Sequence, residues 1–176
     1  MTVNQKQQFG NRNIIPAGPL RERIESGIQK ADSLFFYGSK SSLDISIKNS
    51  EKPVTFIKIL YNNDILMKIK DKNILAFSGI AHPDNFFTAI SDFGINLKKK
   101  IKFSDHHKYT TKDLEKIISL SKKLKLIVIT TEKDYVKIPS NYQKKIIAIP
   151  MKLQFNQEKF YKQFIARLKK SVQYSI

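Results

Sequence analysis

Residues 73–79 read Asn-Ile-Leu-Ala-Phe-Ser-Gly, a short apolar run that ends at a glycine. Pro83 then begins a segment in which large apolar residues recur at helical spacing, and Gly94 ends it. These apolar residues are Phe86, Phe87, Ile90 and Phe93. The stretch therefore predicts a strand, a turn and a helix in succession.

The same order of elements recurs further along the chain. A second strand is predicted over residues 98–103, and Thr110 with Asp113 forms a capping pair for the helix that follows. Further apolar strands are predicted over residues 126–129 and 145–149. Fully apolar strands that alternate with helices are typical of parallel sheets covered on both faces. We therefore predict an α/β fold, a mostly parallel sheet with helices on both faces. A last amphipathic helix is expected from the spacing of Phe160, Phe164, Ile165, Leu168 and Val172.

The first 70 residues are less regular in their hydrophobic pattern. A helix is predicted from Glu22 to Lys30, and strands are predicted over residues 34–37 and 53–59. The polar residues 40–52 predict a surface loop. We therefore expect residues 1–70 to form an irregular segment and residues 71–176 to form the α/β domain.

Composition excludes several classes of protein. The chain has 176 residues and no cysteine, which excludes disulfides, thiolate metal sites and cysteine nucleophiles. The net charge of +17 comes from 32 basic residues, of which only four are arginine. Such a charge predicts attraction to polyanions without specifying which kind. No apolar run is long enough to span a bilayer, and the first residues lack the apolar core of a signal peptide.

Asp105, His106 and His107 directly follow a predicted strand, at the carboxyl end of the sheet, where open α/β folds bind ligands. Adjacent histidines on an extended chain point to different sides, so we predict no metal site. A single histidine that is oriented by Asp105 and acts as a base is geometrically easier than a metal site with both histidines. Simple capping of the loop is the alternative.

Polar residues also follow the next predicted strand, at the same edge of the sheet. They are Thr131, Glu132, Lys133 and Asp134. Such a cluster can hold a phosphate, an ion pair or a neighbouring loop. The alternative is a cap at the end of the strand with weak surface ion pairs.

The chain contains no phosphate-binding P-loop. The segment Gly38-Ser39-Lys40-Ser41 invites the comparison, but Lys40 does not directly follow a glycine. Ser33 also stands where the first glycine of the motif would fall. The six glycines leave no other place for the motif.

Five segments occur in an order and spacing that resemble the tetraacyldisaccharide 4'-kinases, the lipid A 4'-kinases of Gram-negative bacteria. They are Phe9-Gly10-Asn11, Ile15-Pro16-Ala17-Gly18-Pro19-Leu20-Arg21-Glu22, Gly79-Ile80-Ala81-His82-Pro83 with Phe86-Phe87, Asp105-His106-His107, and Thr131-Glu132-Lys133-Asp134-Tyr135-Val136-Lys137. The resemblance runs from about Phe9 to the C-terminus. Five positions depart from the family pattern, namely Arg12, Arg23, Ala81, Ser104 and Tyr135.

This resemblance implies a P-loop kinase that transfers the γ-phosphate of ATP to the 4'-hydroxyl of a tetraacyldisaccharide 1-phosphate lipid and uses Mg²⁺. The family's catalytic base is an Asp-His pair, and the resemblance implies that its histidine, the partner of the proton acceptor, corresponds to His106 or His107. Arg21 and Glu22 match residues at the lipid-phosphate side of the active site. The implied location is the cytoplasm, peripheral to the anionic surface of the inner membrane.

In the family, the P-loop, the Mg²⁺-binding carboxylates and the aspartate of the catalytic pair all precede the Phe-Gly-Asn segment, which here begins at Phe9. We therefore expect the C-terminal half of such a kinase, which binds neither ATP nor Mg²⁺ alone. It is expected to be inactive alone, or active only with a separately encoded P-loop half. The alternative is a non-catalytic basic module that binds anionic lipid or nucleic acid, although no specific nucleic acid is expected.

Overall fold

The computed structural model describes residues 1–38, 40–155, 162 and 165. In chain order, the described helices and strands are β1 (Thr2–Asn4), α1 (Ile24–Lys30), β2 (Leu34–Tyr37), α2 (Ile45–Lys48), β3 (Val54–Tyr61), α3 (Asn63–Ile69), β4 (Asn73–Ser78), α4 (Pro83–Asp92), β5 (Asn96–Lys102), α5 (Thr111–Leu124), β6 (Ile127–Thr131), α6 (Glu132–Tyr135), α7 (Ser140–Gln143), β7 (Ile147–Ile149) and β8 (Met151–Phe155). The strands form two sheets of four strands each, in the orders β1-β2-β3-β8 and β5-β4-β6-β7.

The chain divides into two compact units. The first unit comprises Met1–Ile59 and Leu153–Ile176, and the second comprises Leu60–Lys152. This division differs from the boundary at residue 70 that the sequence suggested. The boundary lies earlier in the chain because α3 belongs to the second unit, where its residues Leu66 and Ile69 are buried in the core.

The first unit is more regular than the sequence predicted. Strand β2 pairs in parallel with both β1 and β3, and Val3 lies opposite Phe36. The core of the unit consists of Val3, Phe9, Ile24, Ile28, Leu34, Phe36 and Ile47. The predicted surface loop over residues 40–52 is wrong, because it contains a short 3₁₀ turn and α2. Helix α2 forms because the Asp44 side chain caps it by accepting from Ser46 N at 2.8 Å, while Ile47 is buried.

The second unit confirms the predicted α/β fold with a parallel sheet. Strand β4 pairs in parallel with β5 and β6, and β6 pairs in parallel with β7. Alternate residues of β4 face opposite sides of this sheet. Ile74 and Ala76 pack with residues of α3 and α4. Leu75 and Phe77 pack with residues of α5. Helices therefore cover both faces, as predicted.

Helix α5 begins as the sequence predicted. Thr110 Oγ1 accepts from Asp113 N at 3.2 Å, and the Asp113 carboxylate accepts from Thr110 N at 3.0 Å. The helix ends at a left-handed Lys125. The expected C-terminal amphipathic helix lies outside the described residues, apart from Lys162 and Ile165, which are helical. Among the helices that the structure describes, none has both the length and the apolar character needed to cross a membrane.

The order of the strands places a switch point in the second unit. Strand β4 lies between β5 and β6, so the chain leaves β4 toward one neighbour and returns on its other side. Loops at the carboxyl ends of β4 and β6 diverge at this point, and such crevices are where open α/β sheets bind ligands. The residues that follow β4, β5 and β6 meet there.

Candidate active site at the carboxyl edge of the second sheet

The carboxylate of Asp134 is fully buried at this edge of the sheet. Its Oδ2 atom accepts from Ser78 Oγ at 2.8 Å, from Gly79 N at 3.1 Å and from Thr131 Oγ1 at 2.8 Å. Ser78 and Gly79 end β4, whereas Thr131 ends β6. The carboxylate therefore links, through hydrogen bonds, the ends of the two strands that flank the switch point.

Two opposing influences set the pKa of Asp134. Burial alone raises the pKa of a carboxyl group, because it penalises the charged form. The hydrogen bonds from Thr131, Gly79 and Ser78 favour the charged form, and they hold the pKa of Asp134 below its ordinary value. Asp134 is therefore ionised at neutral pH although it is buried.

Tyr109 supplies a second buried polar group at this edge. Its ring stacks edge-on against Phe77, with 5.4 Å between the centroids. Its hydroxyl is buried close to Asp134 and Gly79. Burial and the nearby charge of Asp134 raise the pKa of Tyr109 above its ordinary value. This hydroxyl stays protonated throughout the neutral range.

Gly79 is the residue at which these groups meet. A Cβ atom added to Gly79 would lie 3.0 Å from the Tyr109 hydroxyl and 3.2 Å from His107 Cβ. Its N–H donates to Asp134, and its carbonyl accepts from His106 N at 3.2 Å. The absence of a side chain thus allows the histidine loop to approach the end of β4 closely.

The two histidines occupy different environments. The His107 ring stacks on Phe103 with 4.5 Å between the centroids, and its Nε2 lies 3.0 Å from Asp113 Oδ2. The His107 side chain is 25% exposed, whereas that of His106 is 73% exposed. Asp113 is itself held by Thr110 and His107, which lower its pKa to about 2. The side chain of His107 is engaged within the protein, and the ring of His106 is open to solvent.

His106 is held through its backbone. Its φ angle is +58°, in the left-handed region. Its N–H also donates to Asp105 Oδ1 at 3.0 Å, and its Nε2 lies 3.7 Å from Asp105 Oδ2. The arrangement presents an imidazole next to a carboxylate at the surface of the edge.

The polar residues after β6 are placed as follows. Thr131 caps α6 by accepting from Asp134 N at 3.1 Å. Glu132 accepts from Met151 N at 3.1 Å, and Lys133 is exposed. Lys137 Nζ lies 3.5 Å from Asp134 Oδ1. The cluster therefore joins β6 to the end of β4, and Asp134 is not accessible to a ligand.

Arg21 and Glu22 belong to the first unit. Both side chains are exposed, and Glu22 Oε2 pairs with Lys30 Nζ at 2.6 Å. The loop before them is tight, because a Cβ atom on Gly18 would collide with Asn11 Oδ1 and the carbonyl of Asn13. This loop fixes the direction in which the chain enters α1.

The residues that sequence reasoning missed at this edge are Ser78, Tyr109 and the link between Asp113 and His107. Only Tyr109 leaves a local signal, as an apolar ring in an otherwise polar loop. Within the described ranges, no three carboxylate or histidine groups lie close enough to hold a metal ion.

The fold of the chain matches that of a solved nucleotide-binding kinase. The crystal structure of LpxK from Aquifex aeolicus in complex with ATP superposes with a TM-score of 0.64 at 23% identity. The match covers 94% of this chain and 50% of that one. This likeness shows that the chain shares the α/β fold of that protein.

Sequence comparisons define the family. The family model for Tetraacyldisaccharide-1-P 4'-kinase matches residues 1–169, and the chain belongs to this family. It is 36% identical over 157 residues to the Tetraacyldisaccharide 4'-kinase of Rickettsia bellii and 38% identical over 161 residues to that of Rickettsia typhi. Each match covers 89% of this chain and 48% of the relative. The chain thus spans about half the length of the curated relatives it matches.

Proposed function

We propose that this chain supplies the histidine-bearing part of a lipid A 4'-kinase. The reaction is transfer of the γ-phosphate of ATP to the 4'-hydroxyl of a tetraacyldisaccharide 1-phosphate lipid, a step of lipid A biosynthesis. Membership of the family supports the reaction class. The single structural observation in its favour is an exposed imidazole, held next to a carboxylate, at the switch point of a parallel sheet.

His106 is the residue that we assign as the base. Its ring is the more exposed of the two, and its backbone is fixed by Gly79 and Asp105. In the proposed step the ring accepts the proton of the 4'-hydroxyl while the hydroxyl oxygen forms a bond to the γ-phosphorus. The bond between that phosphorus and the bridging oxygen breaks, and ADP leaves. His107 has a positioning role, because Asp113 and Phe103 already engage its ring.

ATP and Mg²⁺ are assigned to residues outside these 176. Phosphoryl transfer depends on a P-loop and a metal ion to position and neutralise the phosphates. These residues contain no P-loop. We therefore propose that they are inactive alone and act with P-loop residues from a further segment or from a separately encoded half. Arg21, exposed in the first unit, is proposed to bind a phosphate of the lipid as a bidentate partner, and Glu22 to lie beside it.

We also propose peripheral attachment to the anionic surface of the inner membrane. The net charge of +17 supports it, because basic residues are attracted to anionic lipid. Vesicle flotation at low and high salt tests this part. Flotation is expected with anionic vesicles at low salt and should be lost at high salt. Flotation with neutral vesicles as well would contradict an electrostatic attachment.

Reconstitution tests the kinase itself. The chain is mixed with the P-loop half of the Rickettsia typhi relative, and transfer of labelled phosphate from ATP to the lipid is measured. Transfer should require both halves, and His106→Asn should abolish it without unfolding the chain, because asparagine tolerates the left-handed backbone. The matched control is Asp71→Asn, at an exposed turn of the same unit. No transfer by two halves that demonstrably associate would contradict the kinase, whereas full activity of His106→Asn would contradict only its role.

A further inference from the structure

The second unit has a groove at the edge opposite to the candidate active site. It lies where β6 and β7 begin, and its volume is about 370 Å³. This is within the range of about 300–1,000 Å³ that is usual for small-molecule sites. Neither the proposed kinase chemistry nor any of the sequence motifs uses it.

The lining of the groove combines an apolar floor with a basic rim. Ile118 and Ile146 form part of the floor, and the half-buried Leu126 adds accessible apolar surface. The rim carries Lys122 from α5 together with Lys144 and Lys145, which follow α7. All three lysines are exposed, and none forms an ion pair with another residue in the described ranges.

Capping of α5 does not account for these charges. Lysines near the carboxyl end of a helix often serve its terminal carbonyl groups. In α5, backbone N–H groups pair with the terminal carbonyl groups, because Lys125 N donates to Lys122 O and Leu126 N donates to Ser121 O. The other two rim lysines come from a different part of the chain. Three exposed lysines thus line one apolar groove, and none of them has an acidic partner among the described residues.

We propose that this groove binds a small amphipathic anion, a single hydrocarbon chain with a phosphate or carboxylate head. The apolar floor would bury the hydrocarbon chain away from water. The rim would hold the head. We assign a single free molecule as the occupant rather than a membrane surface, because the accessible surface of the groove is mostly apolar and a layer of head groups would not bury it. The inference is independent of the proposed kinase activity.

Octyl phosphate below its micelle concentration is the probe. Titration calorimetry on the full chain compares the wild type with K122Q/K144Q/K145Q and with the matched control K98Q/K99Q/K100Q, which removes equal charge from exposed positions of β5. The groove variant should lose affinity about tenfold, because it removes all three charges that would attract the head group. The control should change by less than about twofold. Equal losses in the two variants would overturn the proposal.

Two further measurements separate the alternatives. In isoleucine methyl NMR spectra, octyl phosphate should shift Ile118 and Ile146, and the chain length should matter, with octyl binding more tightly than butyl phosphate. Octyl trimethylammonium should not bind. Inorganic phosphate that competes as well as octyl phosphate would overturn the apolar part of the site. Binding to anionic vesicles but not to monomeric octyl phosphate would overturn the groove as the site.

Discussion

Replacement of Asp134 by asparagine tests whether the buried carboxylate stabilises the second unit through its charge. The substitution keeps the size of the side chain, and its amide oxygen can still accept from Ser78, Gly79 and Thr131. Hydrogen bonds to a charged acceptor contribute about 1.5–3 kcal/mol, and neutral ones contribute about 0.5–1.5 kcal/mol. If each of the three hydrogen bonds loses about 1 kcal/mol, the total loss is about 3 kcal/mol. Burying a neutral amide costs less than burying a carboxylate, which offsets part of this loss. The free energy of unfolding should therefore fall by about 2–3 kcal/mol.

The assay is urea unfolding followed by circular dichroism, with amide hydrogen exchange at β4 and β6 to isolate the second unit. Because the pKa of Asp134 is lowered in the folded protein, its contribution is fully present above the unfolded value of about 3.9. It is lost as the pH falls through the folded value. The difference between wild type and Asp134→Asn should therefore be constant near neutral pH and should shrink in acid.

Asp71→Asn is the control, since Asp71 is exposed on a turn of the same unit. It should change the free energy of unfolding by less than about 0.5 kcal/mol. A destabilisation by Asp134→Asn of similar size, or one that does not shrink in acid, would refute the reasoning. In that case the ends of β4 and β6 would be held by packing rather than by the carboxylate.

Three further substitutions test separate features. Gly79→Ala brings a methyl group to 3.2 Å from His107 Cβ and should cost about 1–3 kcal/mol in thermal unfolding, with a changed His107 NMR signal. Asp113→Asn removes the charged partner of Thr110 and should cost about 1–2 kcal/mol above pH 4, with the difference vanishing as the pH falls toward its folded pKa of about 2. Gly18→Ala collides with backbone and should destabilise the first unit by about 2–3 kcal/mol while hydrogen exchange in β4 stays unchanged.

The second unit could be predicted from the sequence because its signals are local. The run over residues 73–78 is apolar on both faces, and Thr110 with Asp113 marks the start of α5. Parallel sheets covered on both sides require such strands. The predicted strand over 98–103 corresponds to β5 at Asn96–Lys102, so the type of element was correct and its ends shifted slightly.

The missed elements were those whose stability comes from long-range contacts. Strand β1 has only three residues, and it forms because Val3 lies opposite Phe36 in β2. Helix α2 has four residues in a polar stretch, and the burial of Ile47 supports it. A window of sequence does not contain these partners, so its periodicity is too weak to indicate a strand or a helix.

The candidate site also has features that the sequence predicted and features that depend on long-range contacts. That the residues after β5 and β6 lie at one edge followed from the order of the strands. The bond between Ser78 and Asp134 did not, because it joins residues 56 positions apart. Among the alternatives that the sequence left open for its cluster, the burial of Asp134 favours a structural contact at the end of the strand.

Gly79 links the buried carboxylate of Asp134 to the proposed base, His106, through two hydrogen bonds. The Asp134 carboxylate fixes the N–H of Gly79, and the carbonyl of the same residue fixes the N–H of His106. The side chain of His106 is largely exposed, whereas the ring of His107 is stacked on Phe103 and paired with Asp113. The direction of the exposed imidazole therefore depends on backbone bonds that begin at a buried charge. A loss of that charge should disturb His106 first and His107 less, because the second ring has its own contacts.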